Sequence, residues 1–112
     1  MLFRSAHYLV TAKPRPERLA ELESRLARKE FVQLRPFGQA LSLSLNGARV
    51  RQDGTVVWEE EDYCRPPLAE ERAAVLDAYF DGIAVQAVTR GEGWREIADL
   101  PRLFPALVHH SP

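Results

Sequence analysis

The residues most able to do chemistry lie in one short stretch, VVWEEEDYCRPP, at positions 56–67. It contains four consecutive acids, Glu59 to Asp62, and the only cysteine of the chain, Cys64. A deprotonated thiol is a nucleophile, and carboxylates transfer protons or bind hard cations. In a strand, successive side chains point to opposite faces, so Glu59 and Glu61 share one face. The run of four acids therefore presents two carboxylates to each face.

A pocket at the end of this strand would bring a carboxylate or the thiol close to a base. The first strand can supply His7, whereas His109 and His110 lie at the C-terminus. The competing interpretation is that the acids only blunt an edge strand or pair with neighbouring arginines. No diagnostic spacing links these residues, so no metal site and no cofactor are predicted, and whether the domain catalyses a reaction stays open. The candidate catalytic residues are His7, Glu59, Glu61 and Cys64.

A second stretch, TRGEGWR at residues 89–95, has two glycines between two arginines. Glycine-rich backbone can turn N–H groups toward an anion. The spacing matches neither a phosphate-binding loop nor a dinucleotide-binding motif. We therefore interpret it as a turn that needs no ligand.

Length and composition restrict the function. The 112 residues suit one domain, residues 1–112, with one core. With 46% hydrophobic residues and a net charge of −1, the chain is too apolar for disorder and lacks the positive charge that draws proteins to nucleic acid. One cysteine and no apolar run long enough for a signal or membrane span lead us to expect a cytoplasmic protein with no membrane partner.

Residue periodicity predicts the elements of the first half. Residues 3–12 are rich in β-branched and aromatic types and predict a strand. A helix is expected to begin at Pro16 and to bury leucines spaced three and four residues apart. The alternation of leucine and serine in QALSLSL, residues 39–45, predicts a half-buried strand.

Two dipeptides, Asn46-Gly47 and Asp53-Gly54, can supply the positive φ angles of hairpin turns. If both turns form, Leu43 pairs with Val50 and Val50 pairs with Val57. If only the second forms, ARVRQ belongs to a loop or a bulged strand, and both alternatives stay open.

The second half predicts a helix, a strand and a helical tail. Residues 67–82 have acids in the first helical turn and Gly82 in the position of a C-terminal cap. Residues 83–89, IAVQAVT, follow as a strand. Apolar residues then recur at helical spacing from Trp94 onward, interrupted by prolines, so this tail must dock on the domain.

This order of elements resembles the ferredoxin-like split β-α-β sandwich, an α+β fold. That layout has an antiparallel sheet with two helices on one face, here with a short C-terminal helical segment added. The fold hosts many functions and assigns none. It leaves a second sheet face whose cover is unknown. The strand alternation assigns to this ligand or interface face His7, Leu9, Ser42, Ser44, Val56, Trp58, Gln86 and Val88, together with Phe3 and Ala84.

That face is apolar enough to require a cover. A second copy of the chain, the C-terminal tail or a ligand could supply it. We expect a non-enzymatic homodimer that binds a small molecule or a protein partner. The alternative is a small enzyme with a pocket at the end of the third strand. A second alternative is a single-stranded RNA-binding module in which Trp58 stacks on bases near Arg49 and Arg51.

Overall fold

The structure, a computed structural model, describes residues 6–107. It is an α+β domain built on a four-stranded antiparallel sheet with the strand order β2-β3-β1-β4. The two central strands are therefore β1 and β3, and β2 is an edge strand of only two residues. The strands are β1 (Ala6–Pro14), β2 (Arg49–Val50), β3 (Val56–Asp62) and β4 (Phe80–Val88).

Three helical segments connect the strands, and a fourth follows the last strand. Short 3-10 turns, Pro16–Arg18 and Glu30–Gln33, lie before and after the first helix. The third segment is continuous, and its middle is a π-helical turn, Arg72–Leu76. Within residues 6–107, no helix combines the length and the apolar character that crossing a membrane requires. The helices are α1 (Leu19–Ala27), α2 (Gly38–Asn46), α3 (69–79) and α4 (Glu92–Glu96).

The prediction that residues 39–45 form a strand is wrong, because this segment lies in helix α2. Leu41 and Leu45 are fully buried, while Leu43 between them is 61% exposed. A helix buries residues four apart, whereas a strand would bury all three leucines on one face. Leucines at alternate positions fit either pattern, so the periodicity alone does not distinguish a helix from a strand. Leu43 therefore does not pair with Val50.

Of the two predicted hairpin turns, only the second forms. Asn46-Gly47 lies at the C-terminal end of α2. Gly54 has a φ of 89° in the loop between β2 and β3, which is the left-handed conformation that a short hairpin loop requires. Val50 pairs with Val56 rather than with Val57, so the expected register is shifted by one residue.

The face assigned to β3 is also wrong. Val10 lies opposite Trp58, and both are fully buried in the main core beneath the helices. Val56 belongs to the same core face, while Leu9 and Glu59 share the second face. A shift of one residue in register reverses the faces of a whole strand, and the assumed pairing with Val57 carried that error. Two further residues assigned to the second face lie on α2: Ser42 and Ser44.

Helix α3 ends earlier than its predicted cap at Gly82. It stops at Tyr79, and Phe80 already belongs to β4, where it pairs with Pro14. The Phe80 ring packs against Trp58 with 5.3 Å between the ring centroids. The large aromatic side chain thus fills the main core from the first residue of a strand.

The C-terminal tail docks, as the sequence predicts, and it covers part of the second sheet face. Ile97 packs against Leu9 and Val57 in a small second core. Three partly buried residues surround this core: Val88, Trp94 and Leu100. His7, Gln86 and Val88 stay on the second face, as assigned. Phe3, His109 and His110 lie outside the described residues.

Truncation of individual leucines in α2 separates a helix from a strand. We expect Leu45→Ala to lower the free energy of unfolding by about 2–5 kcal/mol, because Leu45 is fully buried. Leu43→Ala should change it by less than about 0.5 kcal/mol, because Leu43 is 61% exposed. Urea unfolding of both variants measures the difference, and equal losses would contradict the helix.

Candidate functional site

The four candidate catalytic residues occupy two places. Three of them, His7, Glu59 and Glu61, line a cleft of about 360 Å³ on the second sheet face. Cys64 lies beyond the end of β3, outside this cleft. We call this concavity the second-face cleft. Its walls include His7, Leu43, Glu59, Glu61, Arg90 and Trp94.

Glu59 holds the backbone beside the cleft in place. Its carboxylate accepts hydrogen bonds from the N–H groups of Gly91, at 2.8 Å, and Trp94, at 3.1 Å. Glu59 is only 4% exposed. A Cβ added at Gly93 would lie 3.0 Å from its Oε1 atom, so the glycine permits this close approach. The glycine-rich stretch therefore does turn N–H groups toward an anion, and that anion is the chain's own Glu59.

His7 and Glu61 lie directly opposite each other on β1 and β3. Directly opposite side chains share a face and are close enough to interact. Arg90 adds a positive charge to the same cleft. None of the ion pairs found among residues 6–107 includes Glu61 or Arg90. The cleft thus presents a base, an acid and a guanidinium group that internal ion pairs do not use.

Helix α2 forms the opposite wall of the cleft. Ser44 donates a hydrogen bond of 2.8 Å to the backbone carbonyl of Glu59. This bond attaches α2 to β3 at positions where the two-residue β2 no longer pairs with β3. Leu43 of α2 and Trp94 give the wall an apolar surface. The cleft is therefore amphipathic, with charged groups on the sheet side.

A second group of residues, which the sequence pattern does not indicate, lies on the opposite face of β3. Glu60 and Asp62 point into the main core, and the first turn of α3 brings Glu71 to them. These three carboxyl groups are 1%, 4% and 0% exposed, respectively. We call them, together with the neighbouring Cys64, the acidic cluster. Glu71 was predicted only as a first-turn helix residue, and nothing in the local sequence indicates its distant contacts.

Hydrogen bonds satisfy only part of the acidic cluster. Glu60 accepts one from the Trp58 indole at 2.8 Å. Asp62 accepts two from backbone N–H groups, of Leu68 at 2.7 Å and of Cys64 at 3.1 Å. The Cys64 Sγ atom lies 3.6 Å from Oε1 of Glu71. The Oε2 atoms of Glu60 and Glu71 are buried and have no hydrogen-bond partner in the described part of the chain.

Burial shifts the proton equilibria of the cluster. It raises the pKa of Glu60 to about 7 and, helped by a hydrogen bond to Asp62, the pKa of Glu71 to about 8. Burial alone would raise the pKa of Asp62 too, but hydrogen bonds from Glu71 and the backbone lower it. Burial and the neighbouring Asp62 thus both favour the protonated form of Glu71. Burial also raises the pKa of the Cys64 thiol to about 11, which removes the thiolate a nucleophile needs.

The backbone is distorted on both sides of Glu71. Leu68, just before α3, has a φ of 65°, in the left-handed region that costs a residue other than glycine roughly 1–2 kcal/mol. The π-helical turn begins directly after Glu71. Such turns occur frequently at functional sites. The Glu71 carboxyl group thus lies between a strained residue and an irregular helical turn.

We expect the domain to lose stability as the pH rises in metal-free buffer. The folded-state pKa values of Glu60 and Glu71 lie above the unfolded value of about 4.3, so the folded state binds more protons. The resulting stabilisation is complete below pH ~4 and is lost as the pH passes through about 7 and 8. Each group contributes a slope of at most about 1.4 kcal/mol per pH unit.

Urea unfolding between pH 5 and 9 measures this slope. Glu71→Gln keeps a donor for Asp62 but cannot ionise, so its slope should be shallower. Glu96→Gln, an exposed acid of α4, is the matched control and should keep the wild-type slope. Identical slopes for the wild type and Glu71→Gln would contradict the assignment.

Comparisons with known proteins identify no relative of this chain. No protein-family model matches it, and neither does any curated protein or solved structure. The function must therefore be inferred from the residues of the chain itself, and above all from the second-face cleft and the acidic cluster.

Proposed function

We propose that this protein is a non-enzymatic ligand-binding domain and that the second-face cleft holds a small molecule. One observation carries the proposal: His7, Glu61 and Arg90 line one cleft, and internal ion pairs among the described residues use neither Glu61 nor Arg90. Ligand sites typically combine an apolar wall with a few polar groups that fix orientation. The volume of about 360 Å³ suits a small metabolite.

The chemistry of the walls indicates the class of ligand. Arg90 favours a carboxylate or phosphate group, because its guanidinium binds such anions through paired hydrogen bonds. Trp94 and Leu43 favour an aromatic or aliphatic portion. His7 and Glu61 favour a polar group between the two ends. We therefore propose a small amphipathic anion as the ligand.

A small enzyme is the second candidate function, and the His7–Glu61 pair favours it. A histidine next to a carboxylate is a common arrangement for moving a proton. Cys64 does not belong to this arrangement, because it lies in the acidic cluster and its thiol pKa is raised to about 11. An RNA-binding module loses the residue that motivated it, since Trp58 is fully buried.

We further propose the ferredoxin-like split β-α-β sandwich as the fold. The strand order β2-β3-β1-β4 supports it, because β3 is inserted between β1 and β2. The additional helix α2 before β2 departs from the simplest form of that layout. It occupies the place where a longer β2 would have paired with β3.

We also propose that the protein self-associates through β4. Residues 82–88, GIAVQAV, carry no charge and form an edge strand with no partner on its outer side among the described residues. An uncharged edge of this length is prone to pair with another strand. Val85 is 39% exposed, and Ala84 and Gln86 are exposed on the second face. The tail covers the Leu9 side of that face, which leaves the β4 side for a second copy.

The ligand proposal is tested by thermal-shift measurements with a panel of aromatic and aliphatic carboxylates and phosphate esters. We expect at least one to raise the melting temperature. Arg90→Gln should weaken its binding about tenfold or more, as expected for loss of a charged hydrogen bond, without changing the melting temperature of the free protein. Arg35→Gln, another exposed arginine, is the control and should bind normally. Equal affinities of the two variants would contradict the proposal that the ligand binds in the second-face cleft.

The same ligand distinguishes binding from catalysis. An enzyme would convert it, and His7→Gln or Glu61→Gln would abolish turnover while the ligand still bound. A ligand recovered unchanged after long incubation with the wild type supports the binding domain.

Self-association is tested by light scattering over a range of protein concentrations. We expect twice the mass of the chain for the wild type and a monomer for Val85→Lys, because a charge at the centre of β4 opposes pairing. Val32→Lys is the matched control, since Val32 is 40% exposed on a 3-10 turn. That variant should remain dimeric. A wild type that is monomeric throughout would remove the proposal.

A further inference from the structure

The acidic cluster holds three buried carboxyl groups, and no described residue supplies a positive charge to neutralise them. Glu60, Asp62 and Glu71 lie together, and no ion pair among the described residues includes any of them. A buried carboxylate is costly unless a proton or a cation neutralises it. The indole of Trp58 and two backbone N–H groups supply hydrogen bonds but no positive charge. The cluster therefore has the electrostatic character of a cation site.

The spacing of the side chains suits a metal ion. One ligand atom each of Asp62, Cys64 and Glu71 lies within 4.8 Å of the others. Around a tetrahedral ion with bonds of about 2.0–2.3 Å, ligand atoms lie roughly 3.3–3.8 Å apart. The most distant pair of ligand atoms would therefore need to approach by about an ångström, whereas the Cys64 Sγ and Glu71 Oε1 atoms are already 3.6 Å apart.

A separate observation also points to a cation. The Oε2 atom of Glu71 is buried without a hydrogen-bond partner among residues 6–107, and Glu71 is 0% exposed. The Oε2 atom of Glu60 is in the same condition at 1% exposure. Native structures rarely leave a buried acceptor unsatisfied, and a bound ion is one of the recognised explanations for such an atom. A cation in the cluster would be coordinated by an oxygen that otherwise has no partner.

The cluster also has room for a fourth ligand. A cavity of about 50 Å³ is lined by Asp62, Cys64 and Glu71 together with Phe37. This exceeds the volume of roughly 30 Å³ that one water molecule takes in the liquid. A water molecule in this cavity, or the carboxylate of Glu60, can complete four-fold coordination.

The mixture of ligand types selects among metals. Mg²⁺ and Ca²⁺ prefer sets made only of oxygen atoms, whereas Zn²⁺ accepts cysteine sulfur together with carboxylate oxygen. We propose that the acidic cluster is a zinc site in which Asp62, Cys64 and Glu71 are the protein ligands. The ion connects the end of β3 to the first turn of α3. On binding, the Cys64 thiol and the Glu71 carboxyl group each lose their proton to solvent, and the sulfur coordinates the ion as thiolate.

The proposal is tested on the full chain with Zn²⁺ alone and with Co²⁺ as a spectroscopic probe. After treatment with a chelator and its removal, Zn²⁺ should bind with one ion per chain and raise the melting temperature. Co²⁺ should produce the near-ultraviolet charge-transfer band of a thiolate ligand. Mg²⁺ in excess should not displace either ion.

Two variants and one control assign the ligands. Cys64→Ser should abolish the charge-transfer band and weaken Zn²⁺ binding at least tenfold, and this partly exposed position tolerates the change without unfolding. Glu71→Gln should weaken binding by a similar factor while its circular dichroism stays that of the wild type. Glu96→Gln should bind Zn²⁺ like the wild type. Absence of stoichiometric Zn²⁺ binding, or undiminished binding in both Cys64→Ser and Glu71→Gln, would overturn the proposal.

Discussion

The pairing of β1 with β3 decides where each acid of the 59–62 run lies. Val10 stands opposite Trp58, which places that indole in the main core. Because strand side chains alternate, Glu60 and Asp62 must follow Trp58 toward the helices, and Glu59 and Glu61 must face the other way. A shift by one residue would exchange the two pairs and expose Trp58. The burial of one large aromatic side chain thus fixes the chemistry of both faces.

The two faces satisfy their acids by different means. On the second face, Glu59 accepts hydrogen bonds from backbone N–H groups at the start of α4. These bonds hold the loop that carries Arg90 in place. On the core face, Glu60 and Asp62 meet a third carboxyl group, that of Glu71. Backbone donors stabilise a charged carboxylate without a cation, whereas a group of carboxyls requires protons or a metal. The chain's own backbone therefore compensates the acid on the second face, whereas the carboxyl groups on the core face need protons or the proposed cation.

The sequence predicted those parts of the structure that depend on local signals. The first strand, the helix after Pro16, the turn at Gly54 and the docked tail all follow from residue types over short windows. The element at 39–45 was misassigned because alternating leucines fit both a strand and a helix. The faces of β3 were misassigned because strand register depends on a partner distant in sequence.

The same distinction between local signals and contacts distant in sequence applies to the candidate site. His7, Glu59 and Glu61 were named together as candidates for a pocket at the end of the third strand, although the predicted strand faces separated His7 from the two acids. The register of β1 and β3 brings all three to one cleft. Cys64 was grouped with them by sequence proximity, but the chain turns after Asp62 and takes the thiol to the other face. Glu71 could not be found at all, since its contacts with β3 depend on how the loop at 63–68 folds.

The shortness of β2 explains why both concavities exist. This strand pairs with β3 only at Val56 and Val57, so the end of β3 has no neighbouring strand on that side. Helix α2 lies there instead, attached by the bond from Ser44 to the Glu59 carbonyl. A strand in this place would pair closely with β3 along its edge, whereas a helix stands farther away and leaves space above and below. Ala40 of α2 accordingly borders both the second-face cleft and the cavity beside the acidic cluster. Extending β2 by a few residues would displace α2 and remove both concavities together.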